Sequence, residues 1–201
     1  KFMKETGYTH VEFKPVMEYL EESTEGYSTS SYYAPTSRFG APEKFQKAVN
    51  LLHQAGVGVI LDWTPAQFPR FEGGLEKFDG TPLYEVPDES CAVHPMWGTM
   101  LYNYGSPMVR DFLIANACFW AEVYHVDGFR MDDVDAMLYL DYGRNMGEWQ
   151  PNLYGTNENL YAVEFLKHLN SIMKKRNPGV ILIAQEDGLW PELTDSVEND
   201  H

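Results

Sequence analysis

Short apolar runs alternate with longer amphipathic segments along this chain, which is the pattern of strands followed by helices. Four runs end at turn residues and predict strands, over residues 9–13, 57–62, 126–132 and 180–184. Three segments repeat apolar residues at helical spacing, with starts marked by Pro42, by Ser106 followed by Pro107, and by an Asn157 cap. This alternation predicts a parallel sheet covered by helices.

Polar side chains gather where three of these strands end, namely Asp62, Asp132 and the neighbours Gln185 and Glu186. Ligands bind at this end of the strands both in barrels and in open α/β sheets. The pattern alone therefore leaves a doubly wound open sheet and part of a (β/α)8 barrel equally open. No glycine-rich phosphate loop follows the first strand, which disfavours nucleotide binding. Residues 64–105 form a long irregular stretch, and its length predicts a functional role.

The composition limits the classes of molecule that the protein is expected to bind. The 201 residues, 44% of them hydrophobic, suit a single globular domain. With 15 Lys and Arg against 30 Asp and Glu, the net charge of −15 disfavours nucleic acid and anionic membranes but allows a neutral polymer. No apolar stretch reaches the roughly 18 residues of a membrane span. Cys91 and Cys118 lack metal-ligand spacing, and reduced thiols predict a cytoplasmic protein. The chain starts without Met, which predicts a longer parent protein.

Five segments then carry a resemblance that extends over almost the whole chain. They are residues 7–12 (GYTHVE), 32–40 (YYAPTSRFG), 61–65 (LDWTP), 102–105 (YNYG) and 128–132 (GFRMD). In this order they resemble the bacterial glycogen branching enzymes of the α-amylase superfamily. The resemblance implies that residues 1–201 are a fragment of one catalytic (β/α)8 TIM barrel, from about its second to its fifth strand. Residues 64–105 would be a loop excursion after the third barrel strand, and the open barrel edges would allow self-association.

The resemblance also implies a reaction and a set of site residues. The family transfers a segment of α-1,4-glucan to a 6-hydroxyl by a retaining mechanism and needs no cofactor or metal. Asp132 matches the nucleophile, and Arg130, two residues earlier on the same strand, would keep it ionised. Asp62, Gln67 and Tyr27 match positions around the sugar, although the family has His where this chain has Gln67.

One departure from the family concerns the general acid/base. The family's glutamic acid at this position is replaced by Gln185, whose carboxamide has no titratable proton. Glu186 could substitute only through a shift in register, because adjacent strand residues face opposite sides. No His-Asp pair follows it to supply the family's third carboxylate, so these 201 residues alone are expected to lack turnover. The alternatives are a catalytically degenerate glucan-binding or scaffolding paralogue and an unrelated α/β binding domain.

Two further acidic residues lie beside the nucleophile position. Asp133 and Asp135 stand where relatives tend to carry smaller or neutral residues. If they lie close to Asp132, like charges would raise the carboxyl pKa values and oppose its ionisation. The simpler expectation is that Asp133 faces away from the pocket and stays solvated.

Overall fold

A computed structural model describes residues 2–188, 190, 191, 193 and 194. Its strands are β1 (His10–Phe13), β2 (Met17–Tyr19), β3 (Thr29–Pro35), β4 (Gly58–Trp63), β5 (Gln67–Phe68), β6 (Met100–Leu101), β7 (Gly128–Met131) and β8 (Ile181–Ala184). Its α-helices are α1 (Phe2–Glu5), α2 (Pro42–Gln54), α3 (Glu89–Ala92), α4 (Pro107–Val123), α5 (Val134–Leu138) and α6 (Leu160–Arg176). Two single 3₁₀ turns lie at Glu22–Thr24 and Ser37–Phe39.

The main sheet has four parallel strands in the order β1-β4-β7-β8. These are the four strands that the apolar runs predicted, and no strand end differs from its predicted position by more than two residues. Helices connect them, as a parallel sheet requires. The prediction of an α/β fold with a parallel sheet is therefore confirmed.

One face of this sheet is covered by helices and forms the core. Leu61, Trp63 and Phe129 on this face are fully buried, together with residues of α4 and α6. The buried side-chain amide of Asn116 links α4 to strands β4 and β3. It accepts the indole N–H of Trp63 at 2.9 Å and donates to the carbonyl of Tyr32 at 2.6 Å. On β4, the side chains that the helices cover are therefore those of residues 59, 61 and 63.

The alternate residues point to the opposite face, where the candidate site lies. Glu12, Ile60, Gly128 and Ile181 occupy paired positions of the four strands and form one layer on this face. A side chain at Gly128 would place its Cβ 2.6 Å from the carbonyl oxygen of Ile181, so the two strands approach too closely there for any other residue. Asp62, Arg130 and Ile183 form the layer above.

The predicted helix starts are confirmed at Pro107 and wrong at Asn157. Ser106 is the N-cap of α4, with Pro107 at the first helical position. The N-cap of α6 is Asn159, whose side chain accepts the N–H of Ala162, whereas the amide of Asn157 donates to Asp141 at 2.9 Å. Both asparagines suit a cap locally, and the contact of Asn157 with another loop decides between them.

Two small antiparallel sheets were not predicted from the sequence. Strands β2 and β3 pair across the turn-rich segment around residues 21–31, and β5 pairs with β6 within residues 64–105. Strands β2, β5 and β6 have only two or three residues, too few for their alternation to be recognised, whereas the seven residues of β3 lie in a turn-rich, mostly polar stretch. Every helix in the described part of the chain is too short or too polar to cross a bilayer.

Candidate active site

Four polar side chains lie at the carboxyl end of the sheet. Asp62 and Arg130 occupy paired positions on β4 and β7. Asp132 and Gln185 each follow the end of a strand, one position beyond the pair Met131 and Ala184. Because side chains alternate along a strand, all four point to the face that the helices leave open. The structure therefore brings these predicted site residues to one edge of the sheet.

Arg130 lies between the two carboxylates. Its Nη1 is 3.2 Å from Oδ2 of Asp62 and 3.4 Å from Oδ1 of Asp132. Burial raises the pKa of Asp132, Arg130 opposes this, and the charges of Asp133 and Asp62 raise the pKa further. The expected influence of Arg130 is present, but it does not outweigh burial. For Asp133, the expectation that a nearby acidic residue hinders ionisation of Asp132 agrees with this direction.

Tyr27 reaches the same carboxylate from the loop before β3. Its hydroxyl donates a hydrogen bond to Oδ2 of Asp62. Burial and this contact raise the pKa of the Tyr27 phenol, so it acts as a donor. The preceding Gly26 makes the approach possible: its φ is +96°, and a Cβ there would lie 2.6 Å from the carbonyl oxygen of Pro15.

Glu12 joins this group, although no role for it was predicted from the sequence. Partial burial raises the pKa of its carboxyl group, and the neighbouring carboxylate of Asp62 raises the pKa further. Asp62 itself is 3% exposed, and its Oδ1 has no hydrogen-bond partner among the described residues. A place for Glu12 in the site could have been predicted from the sequence, because it is an acidic residue within an apolar strand. Its side chain lies on the face shared with Ile60 and Asp62.

Asp133 contradicts the expectation of a solvated side chain. It is 5% exposed, and its Oδ2 lies 3.2 Å from Nε2 of the fully buried His94. The N–H of the imidazole is not aligned with the carboxylate, so the two groups are in close polar contact without a hydrogen bond. Burial raises the pKa of Asp133, whereas the neighbouring side chains of His94 and Tyr142 lower it. A left-handed backbone turns this side chain inward, with φ of 60° and ψ of 41°.

Gln185 and Glu186 point in different directions, as predicted for neighbours at a strand end. The Oε1 of Gln185 accepts the main-chain N–H of Asp133 at 3.1 Å. The carboxylate of Glu186 instead accepts the N–H groups of Gly188 and Trp190, at 2.7 and 2.9 Å. Glu186 also faces Asp135, whose pKa is raised to about 6 by burial and by this neighbour.

Gln67 lies apart from this group in the contacts that the structure describes. It is 7% exposed on β5, and its Oε1 accepts a hydrogen bond from the hydroxyl of Thr99. The described contacts of its side chain therefore anchor residues 64–105 and do not include Asp62 or Arg130. Its predicted place beside the sugar stays a prediction.

Comparisons with known proteins show extensive similarity to one group. The 1,4-alpha-glucan branching enzyme of Thermobifida fusca (strain YX) is 52% identical over 197 residues, 98% of this chain and 26% of that protein. Those of Oleidesulfovibrio alaskensis and Cellvibrio japonicus are each 51% identical over 193 residues, 96% of this chain and 30% and 26% of their own lengths. The chain thus spans less than a third of these relatives. No family model matches it.

A comparison of folds agrees. A crystal structure of an alpha-amylase-like protein from Salmonella typhimurium superposes with a TM-score of 0.66, covering 91% of this chain and 27% of that chain. Sequence identity is 22%, so this likeness concerns the fold alone. The α/β architecture with its parallel sheet is that of an alpha-amylase-like protein.

Proposed function

We propose, since nearly the whole chain is homologous to bacterial 1,4-alpha-glucan branching enzymes, that it forms the central part of the catalytic barrel of such a protein. Strands β1, β4, β7 and β8 would be the second to fifth strands of a (β/α)8 barrel, and residues 64–105 a loop excursion after the third. Their parallel pairing in chain order supports this assignment. The helix-free face would then be the inside of the barrel.

The proposed reaction transfers a segment of α-1,4-linked glucan to a 6-hydroxyl and retains the configuration at the anomeric carbon. Asp132 is the nucleophile that would form the covalent glycosyl intermediate. Arg130 stabilises its carboxylate, while Asp62, Tyr27 and Gln67 bind the sugar. The observation that carries this proposal is the meeting of Asp62, Arg130 and Asp132 at the carboxyl end of the sheet. No cofactor is needed for this chemistry.

One observation favours a second function, a glucan-binding or scaffolding protein without catalysis. Gln185 stands at the acid/base position and cannot exchange a proton. Both oxygens of Glu186 accept main-chain N–H groups on another side of the turn, which argues against its acting as the substitute acid. The names of the relatives favour the catalytic function, and the absence of an acid at position 185 favours binding alone.

An assay on the complete protein distinguishes these two functions. Incubation with amylose, followed by iodine staining and by counting branches after debranching, measures transfer, while affinity electrophoresis in glycogen gels measures binding. In a catalytic protein, Asp132→Asn should abolish transfer, and Glu164→Gln on the exposed surface of α6 should not change it. Binding without transfer identifies the second function. A protein that neither binds nor transfers glucan overturns both.

The isolated 201-residue chain is also proposed to self-associate. Within the described residues, β1 and β8 each pair along one edge only. Unpaired strand edges template association with other chains. A monodisperse monomer in sedimentation velocity at tens of micromolar would contradict this. We place the protein in the cytoplasm, which the free thiols of Cys91 and Cys118 support.

A further inference from the structure

The carboxamide of Gln185 is held at one end by the turn that follows β7. The main chain of Gln185 is fixed on both sides: its N–H donates to the carbonyl of Met131 at 2.9 Å, and its carbonyl accepts from Val134 at 3.1 Å. In the same turn, the N–H of Asp133 donates to its side chain at 3.1 Å. An N–H group can only face an acceptor, so the end that is held is Oε1.

This orientation leaves the amino group of the carboxamide free to donate. Gln185 is half-buried, and the structure records no partner for its Nε2 among the residues that it describes. Asp132 follows the end of β7 as Gln185 follows the end of β8, each one position beyond the paired residues Met131 and Ala184. A ligand at this edge therefore meets a fixed amide donor beside a carboxylate acceptor.

The N–H that is donated to Gln185 belongs to Asp133, whose backbone is left-handed with φ of 60° and ψ of 41°. Residues other than glycine lose about 1–2 kcal/mol in this conformation, although Asp tolerates it better than most. Its carboxylate is buried against His94 Nε2 at 3.2 Å. Because Nδ1 of His94 accepts the N–H of Met96 at 3.2 Å, Nε2 is the nitrogen that carries a proton, and it faces the carboxylate of Asp133. The ring also stacks on Trp97 at 4.3 Å, which fixes its plane.

We propose that Asp133 is a positioning residue, anchored by His94, which holds Gln185 as a hydrogen-bond donor to an oxygen of the bound glucan. This inference rests on the proposed function for the identity of the ligand. At the position where the family has a glutamic acid that transfers a proton, this site has the carboxamide of Gln185, which only donates a hydrogen bond. The glucan contributes an oxygen as acceptor at Gln185 and a hydroxyl as donor at Asp132.

Binding of maltoheptaose to the complete protein, measured by isothermal titration calorimetry, tests the role of Asp133. Asp133→Ala removes the contact with His94 and disfavours the left-handed turn, so the Kd should rise about tenfold. Asp133→Asn keeps an acceptor for His94 and tolerates the turn, so its Kd should lie near that of the wild type. If the charge of Asp133 acted directly on the ligand, both variants would change the Kd equally, and that result overturns the proposal.

A double-mutant cycle tests whether Asp133 acts through Gln185. Gln185→Ala should itself raise the Kd about tenfold, and adding Asp133→Ala should then have little further effect. Equal effects of Asp133→Ala in both backgrounds, or an unchanged Kd in Gln185→Ala, would show that Gln185 is not the group that is positioned. Circular dichroism of each variant confirms that it is folded.

Hydrogen exchange of the Asp133 amide gives a readout that needs no glucan. Its N–H should exchange faster in Gln185→Ala than in the wild type, because the acceptor Oε1 is gone. Equal exchange rates overturn the positioning contact even if glucan binds. A wild-type protein that shows the expected exchange but does not bind maltoheptaose overturns the proposed function and the glucan as ligand, while the contact between Asp133 and Gln185 stands.

Discussion

Arg130 Nη1 lies 3.2 Å from Oδ2 of Asp62, and the two residues occupy paired positions on neighbouring parallel strands. The same nitrogen is 3.4 Å from Asp132, so a single guanidinium group serves two carboxylates. Without the guanidinium group of Arg130, the carboxylates of Asp62 and Asp132 would repel each other in a partly buried site. The first prediction concerns the titration of Asp132.

Arg130→Gln should raise the pKa of Asp132, because Arg130 is the main influence that lowers it against burial. At a fixed pH near that pKa, a smaller fraction of Asp132 is then ionised. Carbon-detected NMR titration of the Asp132 carboxyl group measures the change without requiring turnover. Arg176→Gln is the matched control, since Arg176 pairs with Glu122 on the surface. A pKa that is unchanged or lower in Arg130→Gln would contradict the assignment.

Gln185→Glu should increase branching by the complete protein by about 10²–10⁴-fold, the usual contribution of a general acid/base. The gain requires that the complete protein supplies a third carboxylate. Branch counting after debranching of amylose products measures it, with Gln54→Glu at the exposed end of α2 as a control for added charge. Unmodified protein that branches amylose as fast as Gln185→Glu would show that another group is the acid.

Asp135→Asn should stabilise the protein near neutral pH. The pKa of Asp135 is raised to about 6, mainly by burial. The folded state therefore keeps a proton that the unfolded chain, with a pKa of about 3.9, releases. The stability contribution of this group is present below about pH 4 and is lost as the pH rises through about 6.

The difference in free energy of unfolding between Asp135→Asn and the wild type should accordingly grow from small values at pH 4 to about 1–3 kcal/mol at pH 7. Urea unfolding at several pH values measures it. Asp79→Asn is a control with the opposite sign, because hydrogen bonds from Thr81 lower the pKa of Asp79. A difference that shrinks with rising pH would refute the raised pKa of Asp135.

Asn116→Ala should destabilise the protein by about 2–4 kcal/mol, since it removes the acceptor of a buried indole N–H and leaves a void. Trp63 and Asn116 are both fully buried, so water cannot replace the lost partner. Urea denaturation measures the loss. Asn170→Ala, which removes one helix-surface hydrogen bond to Leu166, should change stability by less than about 1 kcal/mol. Equal losses in the two variants would argue against the linking role of Asn116.

The parallel sheet could be predicted because its strands are buried against helices and therefore read as unbroken apolar runs. Glu12 could also have been assigned to the site from the alternation along β1. The burial of Asp133 could not, because it depends on His94, which belongs to a distant part of the chain. The pattern around Asp133 shows only a polar residue after a strand, and the contact that turns it inward is tertiary. For the same reason, the cap of α6 at Asn159 was not distinguishable from Asn157.

The order of strands in the main sheet is also their order along the chain. Each strand of the main sheet therefore pairs with the strand of that sheet that was synthesised before it. No strand has to be inserted between two strands that have already paired. The sheet can grow during translation from its amino-terminal side, in single additions. Since translation adds about 5–20 residues per second, the free edge of each new strand stays unpaired for several seconds until the next strand has been synthesised. Ribosome-bound intermediates should then expose one strand edge at a time, which is where chaperones would be expected to act on this protein.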